Sequence, residues 1–219
     1  MSKTYYLDFP ITEARIRKLK MGDVVYLSGV IHNMRDMGHA RALELLDKGG
    51  ELPFDLTNSC IWHAAPIVNH DENGKWQVLS VGSTTSSRFT SMGSKLLERL
   101  GMRITIGKGT MGGQAVDAMH KIGSAYLNTT GGCAALYAQQ IMEVLTVHWL
   151  DLGLPEAVWV IRAEQLGPLI VGIDSHGNSL FEQMKVTMNK NLEEQAGLLQ
   201  VDLNKDYTYM PVRVLGRPK

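Results

Sequence analysis

From Gly22 to Ile173 the chain alternates short runs rich in Val, Ile, Leu and Trp with runs of helical periodicity, and glycine stands at many of the junctions. No other feature limits the fold so sharply, because interleaved strand and helix periods describe an α/β domain. Strands are expected at 24–30, 60–68, 76–82, 103–107, 125–128, 157–162 and 169–173. The polar stretch Asn-His-Asp-Glu-Asn-Gly-Lys at 69–75 reads as a turn, so 60–82 is expected to be an antiparallel hairpin, and a mixed sheet or two sheets follow.

Helices are expected at 36–46, 87–100, 114–121 and 133–145. In the second, Phe89, Met92, Leu96, Leu97 and Leu100 share one face, serines precede it as caps and Gly101 follows its end. Beyond Phe181 the apolar pattern weakens, giving a helix at 181–199 and a tail at 201–219 that docks or frays. The expected organisation is one domain over 1–180, with 181–219 belonging to it or docking on a partner.

Composition narrows the function. Lys plus Arg and Asp plus Glu both number 22, so no excess field draws in nucleic acid or an anionic membrane. No apolar run approaches the ~18 residues of a membrane span, and residues 1–10 lack a basic start and an apolar signal core. A cytoplasmic protein is expected. Cys60 and Cys133 have apolar neighbours and read as reduced, packed thiols. Two cysteines cannot furnish the three or four thiolates of an iron–sulfur cluster, and no CxxC or HExxH spacing offers zinc a site. This chain is expected to bind no metal itself; any metal arrives on another chain.

Three segments place cations or hydroxyls at strand exits, where α/β proteins commonly hold ligands. In His32-Asn-Met-Arg35-Asp36-Met-Gly-His39, Asp36 is placed to cap the following helix and Arg35 stands at its mouth; a surface ion pair for Arg35 and an ordinary helical His39 are the plainer alternatives. Gly82-Ser-Thr84-Thr85-Ser-Ser-Arg88 has more hydroxyls than one cap uses, and Arg88 one turn in can clamp a carboxylate. Ile106-Gly-Lys108-Gly-Thr-Met-Gly-Gly lacks the first glycine of a phosphate loop, since Met102 stands there, but puts a lysine between two glycines. Together Arg35, Arg88 and Lys108, with Thr84 and Thr85, suit a small dianion such as a dicarboxylate. Asp174-Ser-His176-Gly-Asn178 reads as a turn.

These segments, in this order, resemble the β subunit of the class I fumarate hydratase and L(+)-tartrate dehydratase family of iron–sulfur hydro-lyases. Arg35-Asp36-x-x-His39 is similar to the family's RDxxH, Gly82-x-Thr84-Thr85-x-x-Arg88 to its GPTTxxRM, and Lys108-Gly109 to its KG. Val147-His148-Trp149 and Gly167-Pro-Leu-Ile-Val171 are similar to later landmarks, and the likeness runs from about Gly22 to Leu180. The resemblance implies a swivelling β/β/α domain that works beside an α subunit carrying a [4Fe–4S] cluster, whose open iron site acts as a Lewis acid on the substrate hydroxyl. It implies that Arg35, Thr85, Arg88 and Lys108 bind the dicarboxylate substrate. It further implies that Thr84 lies nearest the carbon that loses its proton, with Lys108 beside it, and that Asp36 and His39 orient these groups. It also implies a β homodimer within an α2β2 assembly. Ser83 stands where the family usually has Pro, which is expected to loosen the loop holding Thr84, and Phe89 replaces Met. The competing expectation is a non-catalytic module that binds a dicarboxylate or phosphate with the same loops.

Overall fold

Apolar runs too short for a helix but long enough to cross a sheet form the frame of this protein. The computed structural model describes residues 2–205. Contacts divide the chain into two compact units, Met1–Phe181 and Glu182–Lys219. The first unit carries strands β1 (Thr4–Asp8), β2 (Val24–Asn33), β3 (Cys60–Trp62), β4 (Ala64–His70), β5 (Trp76–Ser83), β6 (Ile104–Gly107), β7 (Ala125–Asn128), β8 (Ile141–His148) and β9 (Val158–Ile173). Its helices are α1 (Glu13–Ile16), α2 (Asp36–Asp47), α3 (Thr90–Leu100), α4 (Gly113–Ile122) and α5 (Ala134–Ala138).

Strands β2, β3, β6 and β7 run parallel, in registers that set His32 beside Ile61, Ile61 beside Thr105 and Thr105 beside Tyr126. β9 returns antiparallel to β7 on one side and to β2 on the other, so the hydrogen bonding of the seven-stranded sheet closes on itself. β4 and β5 form a separate antiparallel pair. Between this pair and the sheet lie Trp62, Ala64, Val81, Ile104, Ile106 and Trp159. On the other face Ala42, Leu96, Leu97, Ala115 and Met119 pack against Ile61, Tyr126 and Ile173. The result is the expected β/β/α layering, with Leu96 and Leu97 fully buried and worth about 2 kcal/mol each in apolar transfer. Gly101, at φ +63°, ends α3 as expected.

Several expectations change. The helix placed at 133–145 is only α5, and Ile141–His148 is a strand. Its β-branched residues gain more by pairing Val144 with Ile161 and Val147 with Trp159 than by extending a helix. The strands placed at 157–162 and 169–173 are one strand, because β2 runs opposite it from Trp159 to Ile170, across the gap between them, and Gln165, at φ +48°, absorbs the irregularity. The run 60–68 divides between the large sheet and the β4–β5 pair, with His63 at the break. The helix expected from residue 87 starts as a 3₁₀ turn, Ser86–Phe89, and becomes α-helical at Thr90. β1 and α1 have no counterpart in the sequence reading; with the turns beside them they bury Leu7, Ile11, Ile16 and Leu19. Asp174 accepts hydrogen bonds from the amides of His176 and Asn178, so that segment is the expected turn.

α6 (Leu180–Leu198) begins at the end of the first unit, and the second unit is helical to Leu198. Most of the tail expected at 201–219 lies outside the described residues. Among those described, no helix is long and apolar enough to cross a membrane.

Candidate active site

Because β2, β3, β6 and β7 are parallel, their carboxyl ends fall on one edge of the sheet, and the segments that leave them meet there. Arg35 follows β2, His63 follows β3, Lys108 follows β6 and Thr129 follows β7. The end of β5 supplies Thr84 and Thr85, which the backbone ties into the same cluster. The Thr84 amide donates to the His63 carbonyl at 2.6 Å, the Lys108 amide to the Thr84 carbonyl at 3.4 Å, and the Ser86 amide to the Lys108 carbonyl at 3.0 Å. Thr85 and Lys108 form an isolated parallel bridge. Three sequence segments far apart thus become one backbone unit.

Arg88 closes the unit from the other side, its Nη2 donating to the carboxylate of Asp36. Arg35 occupies the N-cap position of α2 with extended backbone, and Asp36 makes no capping hydrogen bond. The expected capping role of Asp36 is therefore replaced by the ion pair to Arg88. Glu156 takes over the helix start: its Oε2 accepts from the Met37 amide at 2.9 Å, while Oε1 lies 3.5 Å from Arg35 Nη2. The Nε of Arg35 is buried and has no hydrogen-bond partner. Lys108 is exposed and, among the described residues, has no ion-pair partner. Two arginines with donors to spare and an unpaired ammonium share one edge with Thr84 and Thr85.

Beneath this surface lies a buried aromatic floor. His63 stacks on Phe89 at 4.1 Å between ring centres, and His39 packs against both at 5.1 Å and 4.8 Å. His39 Nδ1 bonds the Arg35 carbonyl at 2.8 Å, and His63 Nδ1 bonds Ser86 Oγ at 2.9 Å. Burial away from water lowers the pKa of His39 to about 4 and pushes that of His63 well below the usual imidazole value. Both rings are neutral at pH 7, so the cluster keeps its positive charge on the two arginines and the lysine. Phe89 supplies the face on which both histidines rest.

Ser83 departs from the expected loosening of the loop. Its hydroxyl accepts a 2.8 Å hydrogen bond from the indole N–H of the fully buried Trp62, which anchors the end of β5. Gly107 is required by packing: a Cβ there would lie 1.9 Å from Ser86 Oγ. Sequence reading missed Glu156, His63 and Ser86 as supports. The signal for His63 was a single histidine inside the apolar run Ile-Trp-His-Ala-Ala; Glu156 had none, being 121 residues from Arg35.

Cys60 is fully buried in β3, where burial raises its thiol pKa, and among the described residues no group of three or more His, Cys, Asp or Glu could hold a metal ion.

The fold and the site define an α/β domain with a cationic, hydroxyl-bearing loop cluster at the carboxyl edge of its parallel strands. Residues 2–184 match the family model described as the fumarase C-terminus, and the chain belongs to that family. It is 41% identical over 180 residues to the L(+)-tartrate dehydratase subunit beta of Escherichia coli K12, covering 82% of this chain and 87% of that one. A tartrate dehydratase beta-subunit homologue of Methanocaldococcus jannaschii is 40% identical over 189 residues, 86% of this chain and 96% of that one. A class I fumarate hydratase homologue of Geobacillus stearothermophilus is 38% identical over 188 residues, 86% of this chain but 35% of its own longer sequence.

Proposed function

We propose that this chain is the β subunit of a hydro-lyase that removes water from, or adds it to, a 2-hydroxy dicarboxylate of the tartrate or malate type. The observation that carries the reading is the convergence of Arg35, Arg88 and Lys108 around Thr84 and Thr85 on one sheet edge, in a chain of zero net charge. Each substrate carboxylate needs a charge-matched grip. Asp36 holds one Nη of Arg88, leaving the rest of the guanidinium fork for a carboxylate. Arg35, with a buried unpartnered Nε, and Lys108 grip the other end, while Thr85 donates from the same loop. Thr84 lies nearest the carbon that loses its proton, and the Lys108 ammonium favours the charged form of a hydroxyl that is otherwise a poor base. Asp36 and His39 act by orienting Arg88 and the Arg35 backbone.

The reading includes an α subunit bearing a [4Fe–4S] cluster, which supplies a Lewis-acidic iron for the leaving hydroxyl. It also includes a β homodimer inside an α2β2 assembly and a cytoplasmic location. The relatives named as beta subunits support a partner chain.

The test is anaerobic co-expression with the partner subunit, followed by assays on L(+)-tartrate, malate and fumarate. Turnover of one of them by the complex, and none by the isolated chain, is expected. No turnover by a cluster-replete complex refutes the hydro-lyase reading. Tight calorimetric binding of these diacids by the isolated chain, with no partner recovered, favours a dicarboxylate-binding module instead.

A further inference from the structure

Lys108 sits between Gly107 and Gly109, and neither neighbour has a side chain to restrain it; Gly109 is in the left-handed region at φ +72°. A long, flexible side chain on so free a base grips a ligand well only if its own peptide is fixed from outside. The structure fixes it from two sides. On one side is the Thr84–Ser86 segment already described. On the other is the segment leaving β7, which the proposed function does not use.

Thr129, almost fully buried, delivers two hydrogen bonds to the carbonyl before the lysine: its amide reaches Gly107 O at 2.7 Å and its Oγ1 reaches it at 3.0 Å. Asn128 Nδ2 donates to the carbonyl of Gly109, the residue after the lysine. The peptide that enters Lys108 and the peptide that leaves Gly109 are thus held by consecutive residues of one strand end, while the Lys108 carbonyl between them is held by the Ser86 amide. The Asn128 Oδ1 is buried and has no partner, so this amide is kept for its donor alone. It has room only because residue 172 is glycine, where a Cβ would stand 1.9 Å from Asn128 Oδ1.

We infer that Asn128 and Thr129 are positioning residues that clamp the Gly107 and Gly109 carbonyls on either side of Lys108 and thereby aim its ammonium at the substrate carboxylate. The inference rests on the reading of Lys108 as a carboxylate-binding group. It assigns a role to the fourth strand end of the edge, with Gly172 as the space that lets the clamp close.

The experiment uses the co-purified complex, with L(+)-tartrate and malate as substrates. Thr129→Val keeps the shape of the side chain and removes its hydroxyl; Asn128→Leu removes the amide donor. Each is expected to lower kcat/KM about tenfold or more, mostly through KM, with a melting temperature close to wild type. Thr129→Ser restores the hydroxyl and is expected to restore KM. In a Lys108→Ala background, Thr129→Val is expected to add less than about a twofold change, because a residue that acts through the lysine has nothing left to act on.

Unchanged KM in both single variants, beside a Lys108→Ala complex that has lost binding, overturns the clamp alone. Full additivity with Lys108→Ala overturns it too, as does failure of both Thr129→Val and Asn128→Leu to assemble, since either result makes the contacts structural first. A Lys108→Ala complex with normal KM overturns the reading of the lysine and the clamp with it.

Discussion

Gly107→Ala is the most informative single change, because its effect follows from one distance. The added Cβ would stand 1.9 Å from Ser86 Oγ, and ordinary contact begins at 3.4 Å. Ser86 Oγ must therefore move by roughly 1.5 Å, by rotation or by a shift of its backbone, in a core packed near crystal density. This movement stretches the 2.9 Å hydrogen bond from Ser86 to His63 Nδ1 beyond reach and leaves a buried imidazole nitrogen unpartnered. Overpacking of this kind costs about 1–3 kcal/mol and an orphaned buried polar group another 1–3, so a loss of about 2–6 kcal/mol in unfolding free energy is expected. Ser86 is two residues from Thr84, and a shift of ~1 Å at a reacting group costs ~100-fold in rate. Urea unfolding of the isolated chain reads the first effect and kcat/KM of the complex the second. Two controls separate the clash from backbone effects. Gly109→Ala meets nothing closer than Thr85 Cγ2 at 3.7 Å and should cost only the ~1 kcal/mol of placing a non-glycine at φ +72°. Ser86→Gly combined with Gly107→Ala should be more stable than the sum of the single changes predicts. A Gly107→Ala chain within about 0.5 kcal/mol of wild type, with normal turnover, would refute the reasoning.

Arg88→Lys keeps the charge but loses the planar fork, and should lower kcat/KM about 100-fold, or roughly 3 kcal/mol of transition-state binding. Because the Arg88 side chain is 51% exposed, its ion pair with Asp36 is worth ~1 kcal/mol or less to folding, so the melting temperature should barely move; the reverse pattern removes Arg88 from the site. Stability should also fall in acid. His39 has its pKa lowered to about 4 in the folded state, so the unfolded chain, with the ordinary imidazole value of 6.5, takes up the proton first. Its contribution is complete above about pH 6.5 and drains away between 6.5 and 4, by roughly 3 kcal/mol, and a denaturation midpoint unchanged from pH 7 to pH 5 would contradict this. Glu156→Ala should cost about 1 kcal/mol through the lost acceptor at the Met37 amide, and should raise KM by freeing Arg35 from the carboxylate it pairs with; an unchanged KM would show that Glu156 does not position Arg35.

The sequence by itself determined the α/β class, the helical face of α3 with its glycine stop, the β4–β5 turn and the residue types of the cationic cluster. All of these are local: periodicity, a cap or a run of turn residues declares itself within a few positions. Arg35, Thr84, Thr85, Arg88 and Lys108 could be singled out because each stands beside a strand exit that the pattern marks. What the tertiary structure decided is everything that depends on pairing across distance. Ile141–His148 became a strand only because β9 lies beside it, and β9 became one continuous strand only because β2 runs opposite it from Trp159 to Ile170. Asp36 was placed as a cap because its neighbours are all the sequence displays; in the fold Glu156 fills that role and Asp36 is released to hold Arg88. Ser86 and the Asn128–Thr129 pair carry no signal along the chain, and His63 only that of a histidine inside an apolar run, since each acts through a backbone carbonyl or side chain on another segment. Hydrogen bonds and ion pairs reach only about 3 Å, so which groups they join is fixed by how the sheet closes, and that closure is a property of the packed core as a whole.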